Sequence, residues 1–301
     1  MASRSAVVLR LFSDHLALLA LAAAAVALAA PSAWLARRSD LLLAALVAVT
    51  ALGIDPRRLA AIAARWRLVL GLALVPFALL ALVGWLLDRA IGGSTGAGVV
   101  ALGLSSSEVA SVGLVALAGG EAALALGVLT VSLVLAALAG PLLAGALVAG
   151  AAHQGAGALL ARFALVVIVP LACGLALRGV RPTLERSEPQ FEGTAALIVS
   201  VLVYAALSGA HGPGRTVVGA LAFLAARAVL AVLIAHALPA SGAATVGRPV
   251  GMRDFAVAAA LATAAFGPRA GGVTGVYGAL MLVGGAATAA SMRRGQARDS
   301  R

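Results

Sequence analysis

Apolar stretches of membrane-spanning length recur along this chain with only short polar intervals between them. A spanning helix needs about 20 mainly apolar residues. Ten such segments can be drawn, at roughly 14–35, 40–54, 68–87, 97–118, 122–150, 160–178, 193–210, 216–238, 249–266 and 271–292. Lipid supplies no hydrogen bonds, so a chain patterned this way can cross it only as helices or as a closed barrel. The apolar mass is Ala, Leu and Val, there are 35 Gly, and the alternating ten-residue pattern of barrel strands is missing. The expected fold class is an all-α polytopic membrane protein of about ten transmembrane helices. No polar stretch could fold as a separate soluble domain. Residues 1–301 therefore read as one transmembrane domain whose last residues, 293–301, form a cytoplasmic tail.

Only 11% of residues are charged, against about 25% in soluble domains. That excludes a disordered chain, a coiled coil and an ordinary water-soluble enzyme. The net charge is +11, and all 22 basic residues are arginine. In a soluble protein this excess would suggest nucleic acid. Here the arginines cluster between apolar segments, as membrane topology requires, so no nucleic-acid partner is expected. With ten spans, one face holds Arg4, Arg10, Arg57, Arg58, Arg65, Arg67, Arg178, Arg181, Arg186, Arg293, Arg294, Arg298 and Arg301. The other holds Arg37, Arg38, Arg89, Arg162, Arg215 and Arg269. The richer face, which carries both termini, is expected to be cytoplasmic, in a bacterial inner membrane. Arg4 and Arg10 followed by Leu16–Ala30 resemble a signal peptide, but with further spans behind it this segment reads as an uncleaved first helix. The single cysteine, Cys173, lies in an apolar run and is expected to be a small buried hydrophobe.

Three arginines remain, Arg227, Arg248 and Arg253, together with two acids in or near apolar segments, Glu108 and Asp254. Charges at membrane depth face protein or water and usually pair. The fourth segment is interrupted by Ser105-Ser106-Ser107-Glu108, with Ser111 beyond. The ninth opens Gly247-Arg248-Pro249-Val250-Gly251-Met252-Arg253-Asp254. Interrupted helices at matching positions of two five-segment halves point to an inverted-repeat transporter with its site near the midplane. The two repeats would run over approximately 1–152 and 153–292.

Several stretches resemble the bile acid:sodium symporter family. They are Ala118-Gly119-Gly120-Glu121 with Ala122–Leu126, Thr130-Val131-Ser132, Gly140-Pro141-Leu142-Leu143, and Val250-Gly251-Met252-Arg253-Asp254 with Ala258–Ala262. Thr50–Ile54, Leu74-Val75-Pro76 and Val169-Pro170 with Gly174-Leu175 fit the same family, in order along nearly the whole chain. The resemblance implies panel and core subdomains, broken helices four and nine crossing in the core, sodium near the crossing and an organic anion in the adjacent cleft. The sodium ligands, however, are not kept. The signature glutamate aligns with Pro249, the glutamine with Arg253, the asparagine with Asp254, and further ligand positions with Val112, Ala125, Leu129 and Gly71. Only Ser111 retains a ligand side chain. A Glu108–Arg253 ion pair is the expected substitute for sodium at the crossing, with Asp254 pairing to Arg248 or Arg227, or else capping a helix N-terminus.

The sequence thus reads as a secondary transporter moving a small organic anion by alternating access, without the family's sodium sites. Its substrate or coupling residues would be Ser105, Ser106, Ser107, Glu108, Ser111, Arg253 and Asp254, with Arg227 and Arg248 as structural partners. Two alternatives stay open: a proton-coupled antiporter or auxin-efflux-like carrier, with Glu108 or Asp254 titrating, and a non-transporting membrane sensor. His15, His153, His211 and His236 lack metal-ligand spacing, and no nucleotide fingerprint or catalytic set is present. No metal, cofactor or enzyme activity is expected, and nothing in the sequence sets an oligomeric state.

Overall fold

The computed structural model describes residues 15–148, 154–209, 213–236 and 252–299. Its elements are helices: α1 (Leu16–Ala29), α2 (Ala33–Ala36), α3 (Ser39–Gly53), α4 (Pro56–Ala63), α5 (Trp66–Ile91), α6 (Gly93–Gly103), α7 (Ala110–Leu117), α8 (Ala122–Leu147), α9 (Ala156–Phe163), α10 (Val169–Val180), α11 (Glu188–Leu207), α12 (Pro213–His236), α13 (Phe255–Phe266) and α14 (Pro268–Asp299). A π-helical turn, Ala164–Ile168, joins α9 to α10. It lies just before Pro170, whose ring and missing N–H disturb the preceding α-helical hydrogen bonds.

Among the described residues six helical spans are long and apolar enough to cross a membrane. They are Trp66–Ile91, Ala122–Leu147, Ala156–Val180, Glu188–Leu207, Gly214–Ile234 and Pro268–Met292. The pair α3 and α4, bent by 76°, makes a seventh if it is one broken span. The bend falls at the expected proline: Asp55 caps α4 by accepting the Arg57 N–H at 2.9 Å, and Pro56 fills the first turn. The other three expected segments are shorter. The first is the 14-residue α1, about 21 Å long. The fourth is split into α6 and α7, and the described part of the ninth is helical over the 12 residues of α13.

The tryptophans of α5 stand about one hydrocarbon thickness apart. Trp66 and Trp85 lie 19 residues apart on it, about 29 Å at 1.5 Å per residue, close to the roughly 30 Å of a hydrocarbon core. Each has an arginine over its ring, Arg67 at 5.4 Å and Arg89 at 5.1 Å, and Trp34 carries Arg38 in the same way. An amphipathic ring beside a snorkelling guanidinium suits the headgroup level. Cys173 is exposed on α10 rather than buried. The outer face of a span is apolar anyway, so exposure costs a thiol nothing there.

Helix α3 packs on α10 and α11, and α11 on α1, while α5, α6, α12, α13 and α14 form a second group, with α8 against α5; α11 and α1 also pack on α14. Small residues let the second group close up. A Cβ at Gly103 would overlap the Leu80 carbonyl of α5, one at Gly98 would overlap the Ala270 carbonyl of α14, and one at Gly84 would stand 3.0 Å from the Val99 carbonyl. Gly103→Val is therefore expected to lower stability by about 1–3 kcal/mol through overpacking. Gly113→Ala, where a Cβ meets nothing within 4 Å, should melt at or above the wild-type temperature. Thermal unfolding in detergent checks both, and equal losses in the two variants would contradict this packing.

Candidate functional site at two bridged extended stretches

Helix α6 ends at Gly103, and the chain leaves helical structure until α7 begins at Ala110. The interruption falls on Ser105–Glu108, where the sequence places it. A second extended stretch, Met252–Asp254, precedes α13. The two lie antiparallel and bridge at Ser107 and Arg253. The Glu108 N–H donates to the Met252 carbonyl at 3.0 Å, and the Asp254 N–H donates to the Ser106 carbonyl at 2.8 Å. The N–H groups of the bridged residues themselves find hydroxyls on neighbouring helices. Ser107 donates to Ser132 Oγ of α8 at 3.0 Å, and Arg253 donates to Tyr277 Oη of α14 at 3.1 Å.

Extended backbone alternates its side chains between two faces. Ser107 and Arg253 share one face; Ser106, Glu108 and Asp254 share the other. This geometry overturns the expected Glu108–Arg253 ion pair, which does not form. Arg253, 1% exposed, instead donates from Nη2 to the Gly103 carbonyl at 3.3 Å and so caps the C-terminus of α6. A cation there satisfies both the orphan carbonyl and the helix dipole. Asp254 does the converse for α13: its carboxylate accepts the N–H groups of Ala256 at 2.8 Å and Val257 at 3.1 Å, and Ser106 Oγ reaches it at 3.5 Å. Asp254 is therefore a helix N-cap and forms no pair with Arg227. Arg227 stacks on the Tyr277 ring, 5.5 Å from its centroid. Arg248 lies outside the described residues.

The serines close the interruption upon itself. Ser105 Oγ donates to the Leu102 carbonyl at 2.8 Å, and Ser111 Oγ donates to the Glu108 carbonyl at 2.6 Å. None of Ser105, Ser106, Ser107 and Ser111 lines a cavity described here. Glu108 is 7% exposed, and its Oε2 is buried without a hydrogen-bond partner, as is Nε of Arg253 on the other face.

Glu108 and Asp254 line a cavity of about 330 Å3. One wall is Val109, Ala110, Gly113, Leu129, Thr130, Leu133 and Leu282. The opposite wall is Leu16, Leu46, Val47, Thr50, Ile54, Leu171, Glu192, Ala195, Ala196 and Val199. The cavity therefore lies between the α1–α3–α10–α11 group and the helices around the bridge. Three residues that reading by segment missed matter here. Ser132 and Tyr277 are single polar groups within apolar spans. Glu192 is an exposed acid in the second turn of α11. Acids at the start of a span ordinarily read as interfacial, so only its place on the cavity wall singles Glu192 out.

Ser132→Ala and Tyr277→Phe should each strand one buried N–H of the bridge and cost about 1–3 kcal/mol. Hydrogen exchange at residues 107 and 253 should quicken in the matching variant. Unchanged melting and exchange in Tyr277→Phe would contradict this role. Exchanging Glu108→Arg with Arg253→Glu should recover nothing lost in the single variants, since the two side chains face apart.

Compared with known proteins, residues 10–265 match the model described as the SBF-like CPA transporter family, related to the bile acid:sodium symporter family. No curated protein matches the chain.

Proposed function

We propose, from the premise that this chain belongs to the SBF-like CPA transporter family, that it is a proton-coupled secondary transporter in which Glu108 is the coupling carboxyl. As a member it is a multi-pass membrane transporter and not an enzyme. The observation that carries the finer reading is the Glu108 carboxylate, buried beside the bridge, unpartnered at Oε2 and on the wall of the cavity. A buried carboxylate with an unpartnered oxygen is stabilised by binding a proton or a cation there. Alternation between the two is the elementary step of exchange. Asp254, tied to the end of α13, is the electrostatic neighbour and Glu108 the mobile site.

Alternating access would move the group around the bridge, as a core, against α1, α3, α10 and α11, as a panel. Two observations support ten segments in two repeats. Each extended stretch is pinned by a hydroxyl of the next long helix, 25 residues on for Ser107 and 24 for Arg253. Polar contacts also join residues that a ten-span layout puts on the same face. Arg65 pairs with Glu121 at 2.6 Å and Arg162 with Asp40 at 2.6 Å, while Arg215 Nη2 donates to the Ile91 carbonyl at 2.6 Å. With the arginine-rich face cytoplasmic, in a bacterial inner membrane, the proposed orientation has the cavity, lined by Leu16, Ile54 and Glu192, facing the cytoplasm.

The walls favour a cation exchanged for protons over the small organic anion that the resemblance implies. At an effective dielectric constant of about 20, like charges about 5 Å apart repel by about 3 kcal/mol. An anion would enter only with the carboxyls protonated, as a proton symporter's substrate. The apolar walls are the observation that keeps this second reading. Reconstituted protein with an entrapped pH-sensitive dye decides the matter. Solute-driven proton flux should persist when sodium is replaced by potassium and should fall at least about tenfold in Glu108→Gln. Transport without proton movement, or full flux in Glu108→Gln, would overturn the proposal. Proton uptake together with an organic anion would favour symport.

A further inference from the structure

The chain and its cavity carry opposite charge. The sequence has 22 arginines and 11 acids. Yet three of those acids, Glu108, Glu192 and Asp254, line the cavity, and none of the described arginines does. Glu108 lies on the wall beside the bridge, nine-tenths buried with Oε2 unpartnered, whereas Glu192 is exposed on the opposite wall and marks the mouth. Between them the surface is almost wholly apolar, interrupted only by Thr50 and Thr130. The Thr130 hydroxyl is already committed to the Leu126 carbonyl at 2.9 Å.

We infer that this cavity binds an organic monocation with an apolar body, whose charged end rests against Glu108 after passing Glu192. The inference rests on the proton-coupled reading and adds the class of solute exchanged.

Three alternatives fit the walls less well. A hard metal cation wants six or more oxygens converging on one point, and among the described residues no three acids, histidines or thiols converge in that way. An anion meets a carboxylate at both ends of its path. A neutral apolar solute leaves the buried Oε2 without a counterpart. An ammonium or similar cation with a hydrocarbon body satisfies both features, because apolar walls supply binding area while one precisely placed charge fixes orientation. Glu192, being exposed, contributes mainly by steering, a contribution that salt screens.

The test uses two soluble probes that share one ring and differ in charge sign, benzyltrimethylammonium and benzenesulfonate, with sodium as the third. Binding is measured on the full chain in detergent, and proton counterflow in liposomes. Benzyltrimethylammonium should bind and drive protons outward from the vesicles it enters. Glu108→Gln should weaken its binding about tenfold. Glu192→Gln should weaken it about twofold to fivefold at low salt and less at high salt. Melting temperatures near wild type would show that both variants fold. Absence of benzyltrimethylammonium binding at millimolar concentration overturns the inference, as does preferred binding of benzenesulfonate. So does binding unchanged in both variants. Sodium driving proton flux where benzyltrimethylammonium does not overturns the solute class and leaves the proton-coupled reading standing. Binding of benzyltrimethylammonium without proton flux supports the site and removes the exchange mechanism.

Discussion

Non-helical backbone inside a membrane protein has to find every hydrogen bond within the protein, and the structure turns on how it does so at Ser107 and Arg253. Neither stretch could be satisfied alone. Laid antiparallel, each supplies the other's partner through the Glu108–Met252 and Asp254–Ser106 bonds, and Ser132 and Tyr277 take the two outward N–H groups. This pairing lies between the end of α6 and the starts of α7 and α13. It also requires α6 to approach α5 and α14 closely, which the glycines at 84, 98 and 103 allow. The small-residue composition of the chain therefore has a definite use: it admits backbone where side chains would hold helices apart.

The same pairing sorts the charges. Because a strand alternates its faces, Arg253 is turned to the end of α6, while Glu108 and Asp254 are turned together toward the cavity. Arg253 and Asp254 are adjacent in sequence and serve opposite helix ends, one at the carbonyls of α6 and the other at the amides of α13. The end of α6 and the start of α13 thus each have a terminal dipole matched by a charge from the bridge. Glu108 is left as the carboxylate with an unanswered oxygen, and the proposed chemistry follows from that remainder. A fixed guanidinium that never titrates makes a sound structural cap and a poor coupling group. A carboxyl can give and take a proton.

Much of this was legible in the residues. Apolar length marks the spans, Pro56 after Asp55 marks the bend between α3 and α4, and Ser105–Glu108 marks the interruption of the fourth segment. All of these are local signals. A polar residue inside a twenty-residue apolar run has no innocent explanation in lipid, so Glu108, Arg253 and Asp254 stand out with no structure at hand. What pairs with what is not local. Glu108 with Arg253 is the natural choice on charge alone, and it is wrong because side-chain direction depends on the register of two stretches about 150 residues apart. Glu192 was equally hidden, since an acid at the start of a span looks interfacial until the opposite wall is known.

The sequence by itself determined the solvent, the class of fold, the approximate places where helices begin, bend and break, and the few charges that need an explanation. Those follow from transfer free energy and backbone satisfaction, which act residue by residue. Only the tertiary structure decided that Arg253 caps α6, that Asp254 caps α13, that the serines close the break, and that three carboxylates share one cavity from which the described arginines are absent. These follow from strand register and helix packing, which bring distant residues to one point and set the face each side chain presents.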